Sequence, residues 1–295
     1  MIGALVPLGG ALLLDKPSGI TSARVVSQVK RLLPRKTRIG HTGTLDPLAS
    51  GLLVLLIGRT TRLSRYITGL DKSYTATACL GAVSDTLDAD GNVTSLPDSP
   101  LPDEIDLRVA TSSFTGEILQ TPPMASAVKV GGERLYKLHR RGEKIERQSR
   151  SVNVHSFKLL SYDSPTATFA VSCGSGTYVR TLIADLAESL NTGAYLTTLR
   201  RTRVGHLTIE NAVEPRDLSP NSINQRIIQT RDLVSFLPIV EVSARERVAV
   251  CNGRKLASFG SSGSYRVESG GELLAVYRDS GEQARAEVVL CAGIS

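Results

Sequence analysis

Apolar residues in this chain come in short, closed runs, and that limits what it can fold into. Leu52 to Ile57 is fenced by Gly51 and Gly58, and Ala11 to Leu14 is fenced by Asp15 and the turn formers Pro17 and Gly19. Such runs are buried strands or short helices. No stretch of eighteen apolar residues exists, and the opening Met1-Ile2-Gly3-Ala4-Leu5 lacks the basic residues of a signal peptide. Neither a membrane span nor secretion is expected, so the chain is read as cytoplasmic. Its 295 residues, 41% hydrophobic, suffice for one large domain and a small one.

After the first strand, Thr21 or Ser22 is a suitable N-cap for a helix carrying Val25, Val26, Val29, Leu32 and Leu33 until Pro34. A glycine-bearing loop from Arg35 to Pro47 follows, with three basic residues near its start. Thr60 to Tyr66 looks helical. Tyr74 to Leu80 alternates as a half-buried strand, and Asp85 to Gly91 is an acidic turn. A second strand and helix pair runs from Thr168 through the turn Gly174-Ser175-Gly176-Thr177 into a stripe of Val179, Leu182, Ile183, Leu186 and Leu190. Strands mix with helices without a βαβ rhythm, which favours an α+β class. Asn211 to Leu237, with Pro215 and Pro220, reads as the connection to a second domain. Beyond it, short runs separated by glycines suggest a small β-barrel or open sheet. The expected division is 1–235 and 236–295.

The net charge of +7 suggests a polyanionic partner. From Phe236 to Ser295 there are seven Lys and Arg against seven Asp and Glu, so the excess lies in the larger part. Cys79, Cys173, Cys251 and Cys291 lack close spacing and read as reduced thiols, and the four histidines are equally scattered. No metal is expected.

The densest cluster of unusual residues is Gly40 to Gly51, GHTGTLDPLASG. Asp46 before Pro47 can be an ordinary helix cap, and His41 a surface loop residue. Arg180 weighs against so plain a reading. It falls in the first turn of a helix, where the macrodipole disfavours a cation, so an anionic partner is expected. Asp46 is one candidate, and an Arg180 that points to solvent or to Asp185 is the plain alternative; a pair with Asp46 would aim a carboxylate for nucleophilic or base chemistry. Tyr74 and Tyr178 can be core anchors or can stack on a nucleobase. The basic run Lys137 to Arg150 reads as a solvated face.

Six ordered motifs extend this over nearly the whole chain: LLLDKPSGITS at Leu12 to Ser22, GHTGTLDPLASGLL at Gly40 to Leu53, KSYTATACLGAVSDTLDADG at Lys72 to Gly91, TPPMASAVKVGGERLYKLHRRG at Thr121 to Gly142, SGTYVRTLIADLAESL at Ser175 to Leu190, and LRRTRVG at Leu199 to Gly205. Together they resemble the TruB family of tRNA pseudouridine synthases. The resemblance implies a mixed, mainly antiparallel sheet in the catalytic domain and a PUA-like C-terminal domain. It implies Asp46 as the catalytic carboxylate with Arg180 as its partner, and His41, Tyr74, Tyr178 and Leu199 around a flipped uridine, with Tyr74 near C5. It also implies action at position 55 in the T-loop, in the elbow region of tRNA, by a monomer with no cofactor. Ser84 stands where threonine is frequent in the family.

Two further readings share these features. A tRNA-folding chaperone would use the same basic charge and aromatics without needing a carboxylate at Asp46, and a guide-RNA-dependent pseudouridine synthase shares the catalytic motif. A zinc nucleobase deaminase is excluded, because neither an H-x-E nor a P-C-x-x-C ligand pattern appears.

Overall fold

The apolar runs at Ala11 and Leu52 form adjacent strands, β1 (Gly9–Lys16) and β3 (Ser50–Gly58), paired antiparallel from Gly9↔Gly58 to Lys16↔Gly51. The computed structural model describes residues 9–126, 128–143 and 145–291; Met1 to Leu5 and Lys144 lie outside them. Both faces of these strands are covered. Leu12, Leu14, Leu53, Leu55 and Ile57 enter one apolar cluster, while Ala11, Leu13, Leu52, Val54 and Leu56 enter another. A strand buried on both faces has no polar face to display, so its sequence is continuous rather than alternating.

The first cluster is closed by α1 (Ser22–Leu32), which buries Val25 and Val29 after capping by Thr21, whose side chain accepts from the Arg24 amide. Ile39–His41 forms β2, pairing with β3. After a 3₁₀ turn at Arg59–Leu63 come α2 (Ser64–Thr68) and β4 (Lys72–Leu80). The sheet continues through β5 (Gly116–Gln120), β6 (Arg150–Asp163), β7 (Thr166–Cys173), β8 (Ala194–Val204) and β9 (Leu207–Thr208). Its order is β1-β3-β8-β4-β7-β6-β5, with β2 beside β3 and β9 beside β8. Only the β3–β8 pairing is parallel, so the sheet is mixed and mainly antiparallel. Two helices pack on it, α3 (Glu104–Ser113) and α4 (Val179–Ser189), the latter burying Val179, Leu182, Ile183 and Leu186.

Asn211 to Leu237 is more than a connection. It returns along β1, with bridges Leu14↔Val213 and Ala11↔Ile228, through α5 (Pro220–Arg226) and α6 (Thr230–Leu233), and buries Leu233 and Val234. The second sheet comprises β10 (Ile239–Glu241), β11 (Leu256–Ala257), β12 (Ser264–Ser269), β13 (Glu272–Ser280) and β14 (Gln283–Val289), in the order β10-β12-β13-β14-β11. Helix α7 (Ala244–Cys251) lies against it.

Two of the cysteines depart from the expected reduced state. Cys251, at the end of α7, and Cys291, just beyond β14, form a disulfide with Cα atoms 5.4 Å apart, while Cys79 and Cys173 are free. Forty residues separate the pair, and only sheet formation brings them together, so spacing carried no signal. Among the described residues no helix is long and apolar enough to cross a membrane.

The two sheets share the second apolar cluster: Leu63, Val204 and Leu233 belong to the same set as Leu273, Val276, Val288 and Leu290. Leu63 is fully buried. Leu63→Ala is expected to cost about 2–5 kcal/mol, with the signals of both sheets lost in one transition during urea unfolding; separate transitions would mean that this shared core does not couple them.

Candidate active site

Asp46 occupies the loop between β2 and β3, and the backbone on either side of it is pinned to distant elements. The buried Ser22 hydroxyl donates to the Leu45 carbonyl and accepts from the Leu45 amide, both at 2.9 Å. Beyond Asp46, the Pro47 carbonyl accepts from the Gly19 amide at 2.8 Å and from Lys16 Nζ at 3.3 Å. The Leu48 amide donates to Asp90 Oδ2 at 3.1 Å, and the Leu48 carbonyl accepts from Ser18 at 2.7 Å. So many anchors leave the residue between them little backbone freedom.

The Asp46 carboxylate meets Arg180 in the first turn of α4. Arg180 Nη2 lies 2.8 Å from Asp46 Oδ2, and the guanidinium is almost fully buried. Its Nη1 lies 3.2 Å from Asp88 Oδ2 and donates to the Thr86 carbonyl at 2.7 Å, while Nη2 also donates to the Ala125 carbonyl at 2.8 Å. Asp88 is itself 3% exposed and accepts from the Thr86 hydroxyl and the Asp90 amide. The acidic turn is thus a built element, docked on β8 through the Ala89 amide and the Leu196 carbonyl. Ser84 is buried within it and donates to the Asp88 carbonyl at 2.6 Å.

The other candidate residues lie on neighbouring elements. Tyr74, half-buried, stands on β4 opposite Arg201 of β8. Leu199, two residues earlier on β8 and 8% exposed, pairs with Ala76. His41 ends β2, half-buried, its Nδ1 accepting from the Gly43 amide at 3.4 Å. Tyr178 caps the start of α4. Its amide donates to Gln120 Oε1 at 2.7 Å and its carbonyl accepts from Gln120 Nε2 at 3.1 Å, a reciprocal clamp from β5. In the basic run after Leu135, Arg141 pairs with Glu133 and Glu143, and Arg147 donates to the Pro122 carbonyl.

Known proteins share this fold. The model of the TruB family pseudouridylate synthase N-terminal domain matches residues 30–179, and that of the tRNA pseudouridylate synthase B C-terminal domain matches 180–235. The chain belongs to the TruB family of pseudouridylate synthases. Proteins named tRNA pseudouridine synthase B are similar to it: one from Burkholderia mallei, 44% identical over 84% of this chain and 83% of that protein, and one from Opitutus terrae, 43% identical over 83% and 95%. Among solved structures, the Cbf5-Nop10-Gar1 complex contains a chain matching with a TM-score of 0.72 at 25% identity, over 96% of this chain and 85% of that one. The mixed sheet is therefore the pseudouridine synthase fold, and the second sheet is PUA-like.

Three polar residues of this candidate site carry no individual signal in the sequence. Asp88 reads there only as part of a turn. Lys16, fully buried, donates to the carbonyls of Pro17 (3.0 Å), Ile20 (2.6 Å) and Pro47. Arg201, 3% exposed, donates through Nε to the Leu52 carbonyl at 2.7 Å and through Nη2 to the Gly43 carbonyl at 3.1 Å. Gly51 is required beside it: its φ is +98°, and a Cβ there would fall 2.3 Å from the Arg201 carbonyl oxygen.

Burial pushes the Asp46 carboxyl above its ordinary 3.8; Arg180 opposes this, and Asp88 and Asp90 add to it. The pair therefore does not hold the acid at an ordinary pKa, contrary to the simplest reading of a carboxylate beside an arginine. Burial, aided by Arg201, lowers the His41 pKa and favours a neutral imidazole. Burial raises the Tyr74 phenol, and Arg201 pulls it back.

Lys16 is brought down to about 8, by burial first, against the attraction of Asp46 and Asp90. As pH rises through 8 its carbonyl partners lose a charged donor, so kcat/KM is expected to fall. A depressed lysine contributes stability above its unfolded pKa of 10.5 and loses it as pH falls through 8, so this group favours the fold increasingly over that window. Activity should therefore decline between pH 7 and 8.5 with no loss in urea midpoint; a parallel fall of both would assign the decline to unfolding.

Proposed function

We propose that this chain isomerises uridine to pseudouridine at position 55 in the T-loop of tRNA, with Asp46 as the catalytic carboxylate and without a cofactor. The observation that carries the proposal is the Asp46–Arg180 pair, a carboxylate aimed by a buried guanidinium within a pinned loop. Relatives 42–44% identical over more than four-fifths of the chain, each named tRNA pseudouridine synthase B, support tRNA as the substrate and the cytoplasm as its place of action. They also favour a stand-alone enzyme over the guide-RNA-dependent reading, whose H/ACA and Cbf5 relatives are 23–25% identical. We divide the chain at 235/236, with RNA meeting mainly the larger, basic part.

The reaction breaks the bond from uracil N1 to ribose C1′ and forms one from C5 to C1′. A proton leaves C5 and N1 ends protonated, so nothing is oxidised and nothing external is transferred. Asp46 acts as its carboxylate, by adding to the uracil or by assisting at the sugar. The target base must first leave its stack, which costs on the order of a few kcal/mol. Tyr74 packs against the extruded uracil and takes up the C5 proton as phenolate, its own proton having first passed to solvent; a phenol of pKa about 10, raised further here by burial, is a poor source of that form, and Arg201, which pulls the pKa back down, is the cation that favours it. Tyr178 and Leu199 complete the walls. His41, kept neutral, suits packing in the space vacated by the base rather than pairing with phosphate.

Tritium release from tRNA carrying 5-tritiated uridine, with EDTA present, tests the core of this proposal. The parent should release tritium from one T-loop uridine, and Asp46→Asn should lower the rate by more than about a thousandfold. RNA refolding by the parent without any release would instead support the chaperone reading.

The raised Asp46 pKa gives a second test. Activity needs the ionised form, so the acid limb of kcat/KM should lie above 3.8. Asp88→Asn removes a like charge and leaves Arg180 to Asp46 alone, so both effects should move that limb to lower pH. A limb that stays in place would remove Asp88 from the electrostatics of the site.

A further inference from the structure

Between Asp15 and Asp46 the chain has seven Lys and Arg and no Asp or Glu, a local excess as large as the net charge of the whole protein. Lys16 is consumed inside the site. The remaining six, Arg24, Lys30, Arg31, Arg35, Lys36 and Arg38, are exposed, and none is paired with a carboxylate among the described residues. Elsewhere Arg65, Arg108, Arg141 and Arg200 all have acidic partners. Four of the six line one open cleft of about 690 Å³, where Lys30 and Arg31 in the last turn of α1 face Arg35 and Lys36 across Leu33 and Pro34. The turn that shapes it is fixed: the Thr37 amide and hydroxyl both donate to the Pro34 carbonyl, and Lys36 has φ +69°.

The cleft is held in register with the reaction site from both ends. Ser22, in the first turn of α1, grips Leu45 beside Asp46, and the chain leaving the cleft becomes β2 and ends at His41. At 1.5 Å per residue the helix sets the cleft about 15 Å from the catalytic loop. Unpaired cations at such a distance attract the backbone of an RNA whose nucleotide lies in the site, since phosphate contacts orient a nucleic acid without reading its sequence.

We propose that the cleft formed by Lys30, Arg31, Arg35 and Lys36 is a phosphate-docking surface that seats the RNA backbone flanking the flipped uridine. This rests on the reading of the chain as an RNA-modifying enzyme. Docking there acts on ground state and transition state alike, so it is expected in KM rather than kcat.

The test measures tRNA binding across a salt series, together with tritium release, for the parent and two quadruple variants. One, Lys30→Gln/Arg31→Gln/Arg35→Gln/Lys36→Asn, keeps helix formers in α1 and a residue tolerant of positive φ at the turn. The other, Arg245→Gln/Arg254→Gln/Lys255→Gln/Arg285→Gln, removes the same charge from the exposed face of the second sheet's unit. The cleft variant should raise KM about tenfold with kcat within twofold, and its log–log salt slope should shrink by roughly 0.7–0.9 for each phosphate it no longer neutralises. The second variant should change neither. Equal changes in both would reduce the effect to net charge, and an unchanged slope in the cleft variant would place the backbone elsewhere; either overturns the proposal. A parent that binds tRNA without making pseudouridine would defeat the isomerase reading, while the slope comparison would still decide the cleft.

Discussion

A guanidinium buried in the first turn of a helix has to be neutralised, and the architecture around Asp46 answers that need. Arg180 enters α4 at the end where backbone amides already carry positive charge, so the helix itself offers it no compensation. Two carboxylates and two carbonyls do. They come from the β2–β3 loop, the acidic turn after β4 and the segment after β5, so one side chain draws together three stretches far apart in sequence. The two acids are not equivalent. Asp88 is satisfied by hydroxyl and amide donors and closed from solvent, whereas the Asp46 side chain keeps 40% of its surface exposed. One acid of the ion triad is closed off and serves order, and the other faces solvent.

The partial burial of Asp46 has an energetic cost. With its pKa raised in the folded state, Asp46 contributes to stability only at low pH, and the contribution disappears as pH rises through the folded pKa. The ionised residue therefore lowers stability at neutral pH, and a desolvated, incompletely neutralised carboxylate is what the proposed chemistry at Asp46 calls for. Lys16 shows the same pattern with opposite charge, a buried ammonium depressed to about 8 that orders three carbonyls.

Much of this was legible in the residues because it left local marks. The β1, β3 and β4 runs, the Thr21 cap and the helix after Tyr178 follow from periodicity and turn residues, and Arg180 announced itself by standing at the wrong end of a helix. Lys16 and Arg201 left no such mark. Their partners are backbone carbonyls, which every residue possesses; one of the three that Lys16 holds lies 31 residues away, and those of Arg201 lie 149 and 158 away. Asp88 was hidden for a different reason: DTLDADG has several acids, and only the docking of Ala89 on β8 decides which one turns inward. The Cys251–Cys291 bridge depended on a register that spacing cannot give.

The attachment of the second sheet has a consequence for how such a protein can change over time. Arg59 and Arg62 hold the end of β14 through the carbonyls of Leu290 and Val289, at 3.0 and 2.7 Å. A carbonyl is the same whatever side chain its residue bears, so these two grips are indifferent to the identities at 289 and 290. Mutation can rewrite the outer surface of the C-terminal unit, and with it whatever that surface meets, while these two grips on the catalytic sheet are inherited unchanged.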